Sequence, residues 1–243
     1  MNLLRALIDI IYPPRCAVCR RFLEKPAGGL TALCRSCADR FVPIRPPHCP
    51  VCGKPFSSGP PENRHCEACL RKRPAYAAAR APYLYEGVLM EAVHRFKYGH
   101  RSALARDLGP LLSRFAADWP GARRADVILP VPLHPKRLRE RGFNQSLLLA
   151  RHVAAALETP LDYLSLRRTR YTRPQAGLGK KERRKNVRRA FRVADPERIA
   201  GKTLLVVDDV ATTGNTLDEC AGALLRAGGE KVYCLVLAKA GTG

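Results

Sequence analysis

The chain has 243 residues, of which 46% are apolar, and it carries 43 Lys and Arg against 21 Asp and Glu. This length suits one core of ordinary size with a small satellite domain. No run approaches the roughly 18 apolar residues that a membrane span needs, so we predict no membrane span. The net charge of +22 favours polyanionic partners, either phosphates or nucleic acid, although a solubilising basic surface is the plainer interpretation.

The positive charge is concentrated in two parts of the chain. Residues 1–80 carry 14 Lys and Arg against 5 Asp and Glu, and residues 165–200 carry 13 against 3. The first residues, MNLLRALIDIIYPP, have apolar positions at the spacing of an amphipathic helix, and Arg5 and Asp9 interrupt any export-signal pattern. We therefore expect a cytoplasmic protein.

Eight of the ten cysteines form four Cys-x-x-Cys pairs in the first part of the chain. A spacer of two residues lets both thiolates grip one ion while the backbone turns around it. Four such pairs predict two structural Zn²⁺ sites of four thiolates each. Sequential pairing, which gives two consecutive zinc ribbons, is favoured over a cross-brace, and both stay open at this point. The predicted ligands are Cys16, Cys19, Cys34, Cys37, Cys49, Cys52, Cys66 and Cys69.

The composition changes after the last cysteine pair. We predict an N-terminal helix with a double zinc ribbon at 1–73, a linker at 74–82 and a second domain at 83–243. Disulfides are disfavoured in a reducing cytoplasm, and iron–sulfur clusters usually have less regular spacing. Cys220 and Cys234 stand alone in a predicted helix and a predicted strand, so we interpret them as core thiols.

Predicted strands and helices alternate along the second domain. YEGVLMEAVHRFKYGH predicts a helix, DVILPVP a buried strand, and NQSLLLARHVAAAL a helix capped by Asn144. LDYLSLRRTRYT and KTLLVVDDV predict strands, NTLDECAGALLRAGG predicts a helix, and KVYCLVLAKA predicts the last strand. This alternation predicts an α/β fold with a doubly wound, mainly parallel sheet that binds ligands at the carboxyl ends of its strands.

The segment LLVVDDVATTGNT places two adjacent acids, Asp208 and Asp209, at the end of the predicted strand Leu204–Val207. The turn that follows has backbone N–H groups, hydroxyls and a helix N-terminus that suit a phosphate, and Gly214 permits close approach. Two carboxylates beside it suit the vicinal hydroxyls of a sugar, whereas a helix cap would explain only one acid. The predicted phosphate loop comprises Ala211, Thr212, Thr213, Gly214, Asn215 and Thr216.

This motif resembles the signature of type I phosphoribosyltransferases, which bind phosphoribosyl pyrophosphate (PRPP). The resemblance implies a doubly wound phosphoribosyltransferase fold, PRPP with Mg²⁺ as ligand, and displacement of pyrophosphate from C1 of the ribose. It assigns the ribose 2- and 3-hydroxyls to the catalytic pair Asp208 and Asp209, and the 5′-phosphate to the loop. Within ILPVPLHPKRLRERGFNQ, it implies a pyrophosphate loop at Leu133, His134, Lys136 and Arg137.

The basic segment RTRYTRPQAGLGKKERRKNVRRAF occupies the place of the flexible loop that closes over the substrate in the same family. Its charge and its glycines suit a mobile lid that excludes water, and a disordered basic loop is the alternative. The residues that the resemblance assigns to this loop are Arg170, Tyr171, Gln175, Arg183, Arg184 and Asn186.

The four cysteine pairs, RFKYGH, RGFNQ, the basic segment and the Asp-Asp motif together resemble the ComF (ComFC) family over essentially the whole chain. That resemblance implies a role in DNA uptake and natural transformation, with single-stranded DNA and proteins of the uptake machinery as partners. A non-catalytic DNA-binding factor that uses PRPP or a nucleotide as ligand, and a metabolic phosphoribosyltransferase, remain alternatives. Candidate base-stacking residues are Phe56, Tyr76, Tyr83 and Tyr85.

Overall fold

The fold is that of a computed structural model, which describes residues 13–23, 30–99, 101–171 and 188–241. The predicted N-terminal amphipathic helix therefore lies outside the described residues. The cysteine-rich part contains two short helices, α1 (Arg35–Ala38) and α2 (Glu67–Arg71). Each begins directly after the first cysteine of a Cys-x-x-Cys pair, so the second cysteine lies in the first helical turn beside it.

A parallel sheet forms the centre of the molecule. Its strands are β1 (Ala78–Arg80), β2 (Tyr83–Leu84), β3 (Val127–Pro130), β6 (Thr203–Ala211) and β7 (Lys231–Lys239). Both β1 and β2 pair with β7, β7 pairs with β6, and β3 lies on the other side of β6. All these pairs are parallel, which confirms the predicted mainly parallel sheet.

Three helices of the second domain lie where the sequence predicts them, at Gly87–Tyr98, Gln145–Leu157 and Asn215–Arg226, whereas the three other α-helices that the structure describes there were not predicted. Asn144 caps the helix that begins at Gln145, as predicted, because its side-chain oxygen accepts a 3.0 Å hydrogen bond from the Ser146 backbone N–H. The helices are α3 (Gly87–Tyr98), α4 (Ala105–Asp118), α5 (Pro120–Arg123), α6 (Pro135–Arg141), α7 (Gln145–Leu157) and α8 (Asn215–Arg226).

One predicted strand differs from the structure. LDYLSLRRTRYT contains only the short strand β4 (Leu166–Arg168), which pairs antiparallel with β5 (Phe191–Val193) in a separate two-stranded sheet. The Asp162 carboxylate accepts hydrogen bonds from the backbone N–H groups of Leu164 and Ser165, at 2.9 and 3.0 Å. This turn interrupts the extended backbone before β4 begins.

The two zinc ribbons contribute to different faces of the sheet. Side chains alternate along β6, so Leu205 faces one core and Leu204 faces the other. Leu33 of the first ribbon packs in the core that contains Leu205, and Val51 of the second ribbon packs in the core that contains Leu204. The cysteine-rich part therefore packs against both faces of the sheet.

The segment 74–82, expected as a linker, contains the edge strand β1. The Ala79 backbone N–H donates a 2.7 Å hydrogen bond to the Val51 carbonyl, on the side of β1 that faces the second ribbon. Gly53 has a φ of +68°, and a Cβ there would lie 2.5 Å from the Ala79 carbonyl oxygen. The ribbon and the strand thus approach too closely for any residue except glycine, and the ribbon covers a sheet edge that would otherwise be exposed.

The first ribbon is attached to the second domain through Asp107 of α4, which is buried. One carboxylate oxygen accepts from the Thr31 backbone N–H at 2.7 Å and from its hydroxyl at 3.1 Å. The other accepts from the backbone N–H groups of Ala32 and Leu33, each at 2.7 Å. One side chain therefore satisfies three consecutive backbone donors just before the second cysteine pair.

Replacement of Asp107 by alanine should lower the free energy of unfolding by about 3 kcal/mol, because the buried N–H groups of Ala32 and Leu33, and the more exposed N–H of Thr31, lose their acceptor. Denaturant unfolding of the variant would measure this loss. Asp118→Ala, at an exposed position on the same helix, is the matched control and should change stability by less than about 0.5 kcal/mol. Equal effects of the two substitutions would contradict this role of Asp107.

Candidate functional site

The acidic pair lies inside β6 rather than after its end. The predicted strand stopped at Val207, but β6 continues to Ala211 because β7 is equally long and pairs Ala238 with Val210. On the other side, β3 ends at Pro130, which pairs with Val207. The acids therefore lie just beyond the end of β3, where a parallel sheet opens a crevice for ligands.

Each carboxylate of the pair has a partner from a different helix. The Lys97 ammonium of α3 lies 2.8 Å from the Asp209 Oδ2 atom, and the Asp209 side chain is 3% exposed. The Ser146 hydroxyl, in the first turn of α7, donates a 2.7 Å hydrogen bond to Asp208 Oδ1. Two helices thus hold both acids in fixed positions.

The electrostatics of the pair follow from its burial. Burial, and then the adjacent carboxylate of Asp209, raises the pKa of Asp208 to about 7. Burial lowers the pKa of Lys97, but the Asp209 carboxylate, together with Asp208 and Tyr85, more than offsets this, so the pKa of Lys97 is raised overall. The site therefore holds a stable ammonium beside Asp209, and an Asp208 carboxyl that gains or loses a proton near neutral pH.

The predicted phosphate loop is divided between three elements. Ala211 is the last residue of β6, Thr212 to Gly214 form the turn, and Asn215 and Thr216 begin α8. Gly214 has a φ of +76°, a left-handed backbone conformation that favours glycine. The turn leads directly into the N-terminus of a twelve-residue helix, where unpaired N–H groups and the helix dipole favour an anion.

The predicted pyrophosphate residues lie at the start of a helix. Leu133 and His134 belong to the loop after β3, whereas Lys136 and Arg137 belong to α6. The predicted pyrophosphate segment is thus part loop and part helix, because Pro135 occupies the first helical turn, where its fixed φ favours helix. His134 caps this helix, since its Nδ1 atom accepts from the Lys136 backbone N–H at 3.2 Å.

Tyr171 brings the predicted flexible loop to the pyrophosphate residues. Its ring centre lies 5.4 Å from the His134 ring, 4.9 Å from the Lys136 Nζ atom and 5.4 Å from the Arg137 guanidinium carbon. Arg170 precedes it at the end of the described part of this segment. The other four predicted residues lie outside the described residues: Gln175, Arg183, Arg184 and Asn186.

Three residues of the site were not predicted from the sequence. Lys97 lies within RFKYGH, and Ser146 lies two residues after the predicted helix cap Asn144, but the sequence indicated no role for either residue. Arg168 is the third: burial lowers its pKa, and the charge of Asp208 raises it.

The two cysteine groups are paired in sequence order. The first four cysteines form one group and the second four form the other, and within each group all Sγ atoms lie within 4.8 Å of one another. The Sγ atoms of Cys19 and Cys34 are 3.6 Å apart, as are those of Cys52 and Cys66. Tetrahedral Zn²⁺ with Zn–S bonds of about 2.3 Å requires a spacing of about 3.8 Å.

The thiols of each group fit a metal electrostatically as well as geometrically. Burial, followed by the neighbouring thiols, raises the pKa of Cys37 in the first group and of Cys69 in the second. Four thiolates are therefore unfavourable together without a cation, and Zn²⁺ would remove that cost. Cys220 and Cys234 are fully buried in the core, as predicted.

The structure limits the predicted base-stacking residues. Tyr76 is only 4% exposed, so the prediction of base stacking by Tyr76 was wrong. The Arg64 guanidinium covers one face of Phe56 at 4.0 Å, and Tyr83 packs edge-on against Phe41 at 5.7 Å. Phe56 and Tyr83 therefore already contact other side chains, and Tyr85 is half-buried, so less of each ring is available to stack on a base.

Comparison with known proteins identifies the family. Residues 7–70 match the double zinc ribbon domain family, and residues 144–243 match the phosphoribosyl transferase domain family. DNA utilization protein YhgH of Escherichia coli O157:H7 is 34% identical over 231 residues, which cover 93% of this chain and 98% of that protein. The chain belongs to the same family as the DNA utilization protein YhgH. The family match and the parallel sheet confirm the predicted phosphoribosyltransferase fold with its preceding zinc ribbons.

Two further relatives confirm the resemblance to ComF proteins. Competence protein F of Haemophilus influenzae is 30% identical over 230 residues, covering 93% of this chain and 97% of that protein. Competence protein ComFC of Bacillus subtilis is 28% identical over 211 residues, covering 85% and 82%. Within the described part of the chain, each helix is too short or too polar to cross a membrane.

A solved structure of glutamine phosphoribosylpyrophosphate amidotransferase from B. subtilis, complexed with ADP and GMP, is also similar. It is 22% identical and has a TM-score of 0.39. The match covers 55% of this chain and 26% of that one, and no functional conclusion follows from it.

Proposed function

We propose that this protein binds PRPP together with Mg²⁺ at the carboxyl edge of its sheet and acts as a phosphoribosyltransferase. The observation that supports this most directly is the buried pair Asp208 and Asp209, held by Lys97 and Ser146 and followed at once by the turn into α8. Paired carboxylates next to an anion-binding helix N-terminus suit a ligand that carries hydroxyls and a phosphate together.

Each part of PRPP has a counterpart in this proposal. Asp208 and Asp209 accept hydrogen bonds from the ribose 2- and 3-hydroxyls, and the backbone N–H groups of residues 212–216 bind the 5′-phosphate. Lys136 and Arg137 bind the diphosphate, since ammonium and guanidinium groups form strong charge-assisted hydrogen bonds with phosphate oxygens. Tyr171 contacts both residues in the structure and would keep their side chains near the leaving group.

The proposed reaction breaks the bond between ribose C1 and the pyrophosphate oxygen, and joins C1 to a nucleophilic atom of the acceptor. Mg²⁺, when bound with PRPP, would neutralise charge on the diphosphate, and the carboxylate oxygens of the acidic pair are ligands that it prefers. Positive charge on the ribose in the transition state would be stabilised by Asp208 and Asp209. These residues therefore contribute positioning and electrostatics, and we assign no general base.

We further propose that the protein acts in DNA uptake and natural transformation in the cytoplasm. The printed names of its relatives, DNA utilization protein and competence protein, support the cellular role. Reduced thiols for two zinc sites support a reducing compartment. Proteins of the uptake machinery are the corresponding proposed partners.

A second candidate function is non-catalytic binding of single-stranded DNA, with PRPP or a nucleotide as a regulatory ligand. The observation that favours it is the exposed run Arg71, Lys72 and Arg73 at the end of the second ribbon, next to Leu70, which is 72% exposed. Exposed basic side chains bind the phosphate backbone without sequence preference. A metabolic phosphoribosyltransferase that is indifferent to DNA is the third alternative.

Calorimetric titration of PRPP with Mg²⁺ tests the proposed function. Wild type should bind, and the double variant Asp208→Asn, Asp209→Asn should lose affinity by at least about 100-fold, because two charge-assisted hydrogen-bond acceptors are lost. Asp118→Asn, which changes an exposed carboxylate, should bind like wild type. Pyrophosphate release with a panel of nucleobases then separates an enzyme from a binding protein, and absence of PRPP binding would overturn the proposal.

Single-stranded DNA binding at several salt concentrations tests the second candidate. If the second ribbon binds DNA, changing Arg71, Lys72 and Arg73 to alanine should weaken binding and reduce the slope of log affinity against log salt by about 0.7 for each lost phosphate contact. The same variant should bind PRPP normally. An unchanged slope would exclude this run of residues from the DNA interface.

A further inference from the structure

Tyr76 lies between the second zinc ribbon and the turn that precedes α8. It packs in the core that contains Cys49, Cys69 and Leu217, and is 4% exposed. Its hydroxyl oxygen lies 3.2 Å from the position that a Cβ on Gly214 would occupy. The Tyr76 ring therefore packs against residues of the second ribbon, and the Tyr76 hydroxyl lies next to the turn at Gly214.

A second contact joins the same segment to the same turn. The Ala75 backbone N–H donates a 2.7 Å hydrogen bond to Asp218 Oδ1, in the first turn of α8. The Asp218 backbone N–H donates in turn to the Gly214 carbonyl at 2.9 Å. Residues 75 and 76 thus contact the turn at Gly214 and one helical turn later.

The second ribbon fixes this segment from its other side. The Arg80 guanidinium donates to the Pro50 carbonyl at 3.0 Å, in addition to the hydrogen bond between Ala79 and Val51. Pro50 and Val51 are the two residues between Cys49 and Cys52. The zinc-binding knuckle, the segment 75–80 and the turn at Gly214 are therefore connected by direct contacts.

We propose that Tyr76 and Asp218 are positioning residues through which the second ribbon keeps the phosphate-binding turn in its binding conformation. This inference rests on the proposed function, in which that turn binds the 5′-phosphate. A turn that is already ordered loses less conformational entropy when the phosphate arrives, so affinity rises without any new contact to the ligand. The ribbon would then be part of the phosphoribosyl site rather than a separate module.

The proposal predicts a selective effect on one end of the ligand. The affinity for ribose 5-phosphate should depend on Tyr76 and Asp218, because the phosphate of this ligand is proposed to bind at the turn. The affinity for inorganic pyrophosphate should not depend on them, because the residues proposed to bind it, Lys136 and Arg137, lie on α6, after a different strand. A substitution that merely destabilised the fold would lower the affinity for both ligands.

The experiment compares the affinities of these two probes by calorimetry, in the presence of Mg²⁺, for Tyr76→Phe and wild type. Ribose 5-phosphate affinity should fall about fivefold, because the turn loses the hydroxyl that packs against it, and pyrophosphate affinity should change less than about twofold. Tyr83→Phe is the matched control, because Tyr83 lies on the same sheet edge but packs against Phe41. It should leave both affinities unchanged.

Asp218 provides an independent variant. Asp218→Ala removes the acceptor for Ala75 and should weaken ribose 5-phosphate about fivefold, whereas Asp218→Asn keeps a side-chain oxygen and should largely restore affinity. Unchanged affinity in Tyr76→Phe and Asp218→Ala, or equal loss for both probes, would overturn the positioning role while leaving the PRPP site intact. Failure of wild type to bind ribose 5-phosphate would overturn the proposed function and this inference with it.

Discussion

Replacement of Lys97 by methionine should destabilise the protein by about 3–5 kcal/mol at pH 8, the range expected when one partner of a buried ion pair is removed. In the structure Lys97 lies 2.8 Å from Asp209, whose side chain is 3% exposed, and Asp208 is the adjacent residue in the same buried strand. Methionine fills a similar volume, so the loss would come from charge rather than from packing. Denaturant unfolding measures the free energy directly.

The effect of this substitution should depend on pH, and its sign follows from the pKa of Asp208. Burial and Asp209 raise that pKa from 3.8 to about 7 in the folded protein, and removal of the Lys97 charge raises it further. Above about pH 7, folded wild type releases the Asp208 proton that the folded variant still holds, so the variant loses stability relative to wild type as pH rises. The loss in Lys97→Met should therefore be small near pH 4 and largest above pH 7.

Two further variants separate charge from packing. Lys97→Arg keeps the positive charge and should lose much less stability than Lys97→Met. Adding Asp209→Asn to Lys97→Met removes the unpaired carboxylate and should recover most of the loss, so the two substitutions should be strongly non-additive. A loss that is constant from pH 5 to pH 8 would mean that Lys97 stabilises the fold by packing alone.

The features that depend on short spacing could be predicted from the sequence. Two residues between paired cysteines fix the geometry of a metal ligand pair, and the eight cysteines form the two expected groups. Likewise, an apolar run followed by two acids, a glycine turn and a helix is a local pattern. The acids and the turn consequently lie at the edge of the sheet where the sequence predicted them, although β6 ends four residues later than predicted.

The residues that complete the site could not be predicted, because their contacts are distant in sequence. Ser146 and Asp208 are 62 positions apart. Outside the site, the contact that attaches the first ribbon is equally distant, since Asp107 and Thr31 are 76 positions apart. Such pairs depend on how helices pack on the sheet, which no local pattern specifies. The length of β6 similarly depends on pairing with β7, a strand that follows it by a whole helix.

Tyr76 shows how a local interpretation fails when packing decides the outcome. In the sequence it follows a basic run and precedes small residues, a context in which an aromatic ring suits the stacking of bases. In the structure the second ribbon and α8 enclose it. The local sequence around an aromatic residue can be the same whether the ring binds a base or packs in a domain interface, so only the tertiary contacts distinguish the two roles.

Loss of one zinc site should unfold the ribbon that contains it and leave the other ribbon bound to metal. Structural Zn²⁺ contributes about 10–16 kcal/mol in small zinc-binding peptides, which matches or exceeds the whole stability of an ordinary domain. We therefore expect wild type to bind two zinc ions per chain, and Cys66→Ser and Cys19→Ser to bind one each. Metal analysis gives this stoichiometry, and Cys220→Ser, at a buried cysteine outside both groups, should still bind two.

Amide hydrogen exchange would show which backbone N–H groups lose protection when each zinc site is removed. Cys66→Ser should remove protection at Ala79, whose N–H donates to Val51 of the second ribbon, while Ala32 and Leu33 remain protected by Asp107. Cys19→Ser should give the opposite pattern, because the first ribbon contains the segment that Asp107 binds. If either substitution exposed both regions and released both ions, the two groups would not be independent zinc sites and the sequential pairing would be wrong. Separate losses would instead mean that each ribbon stabilises its own face of the sheet.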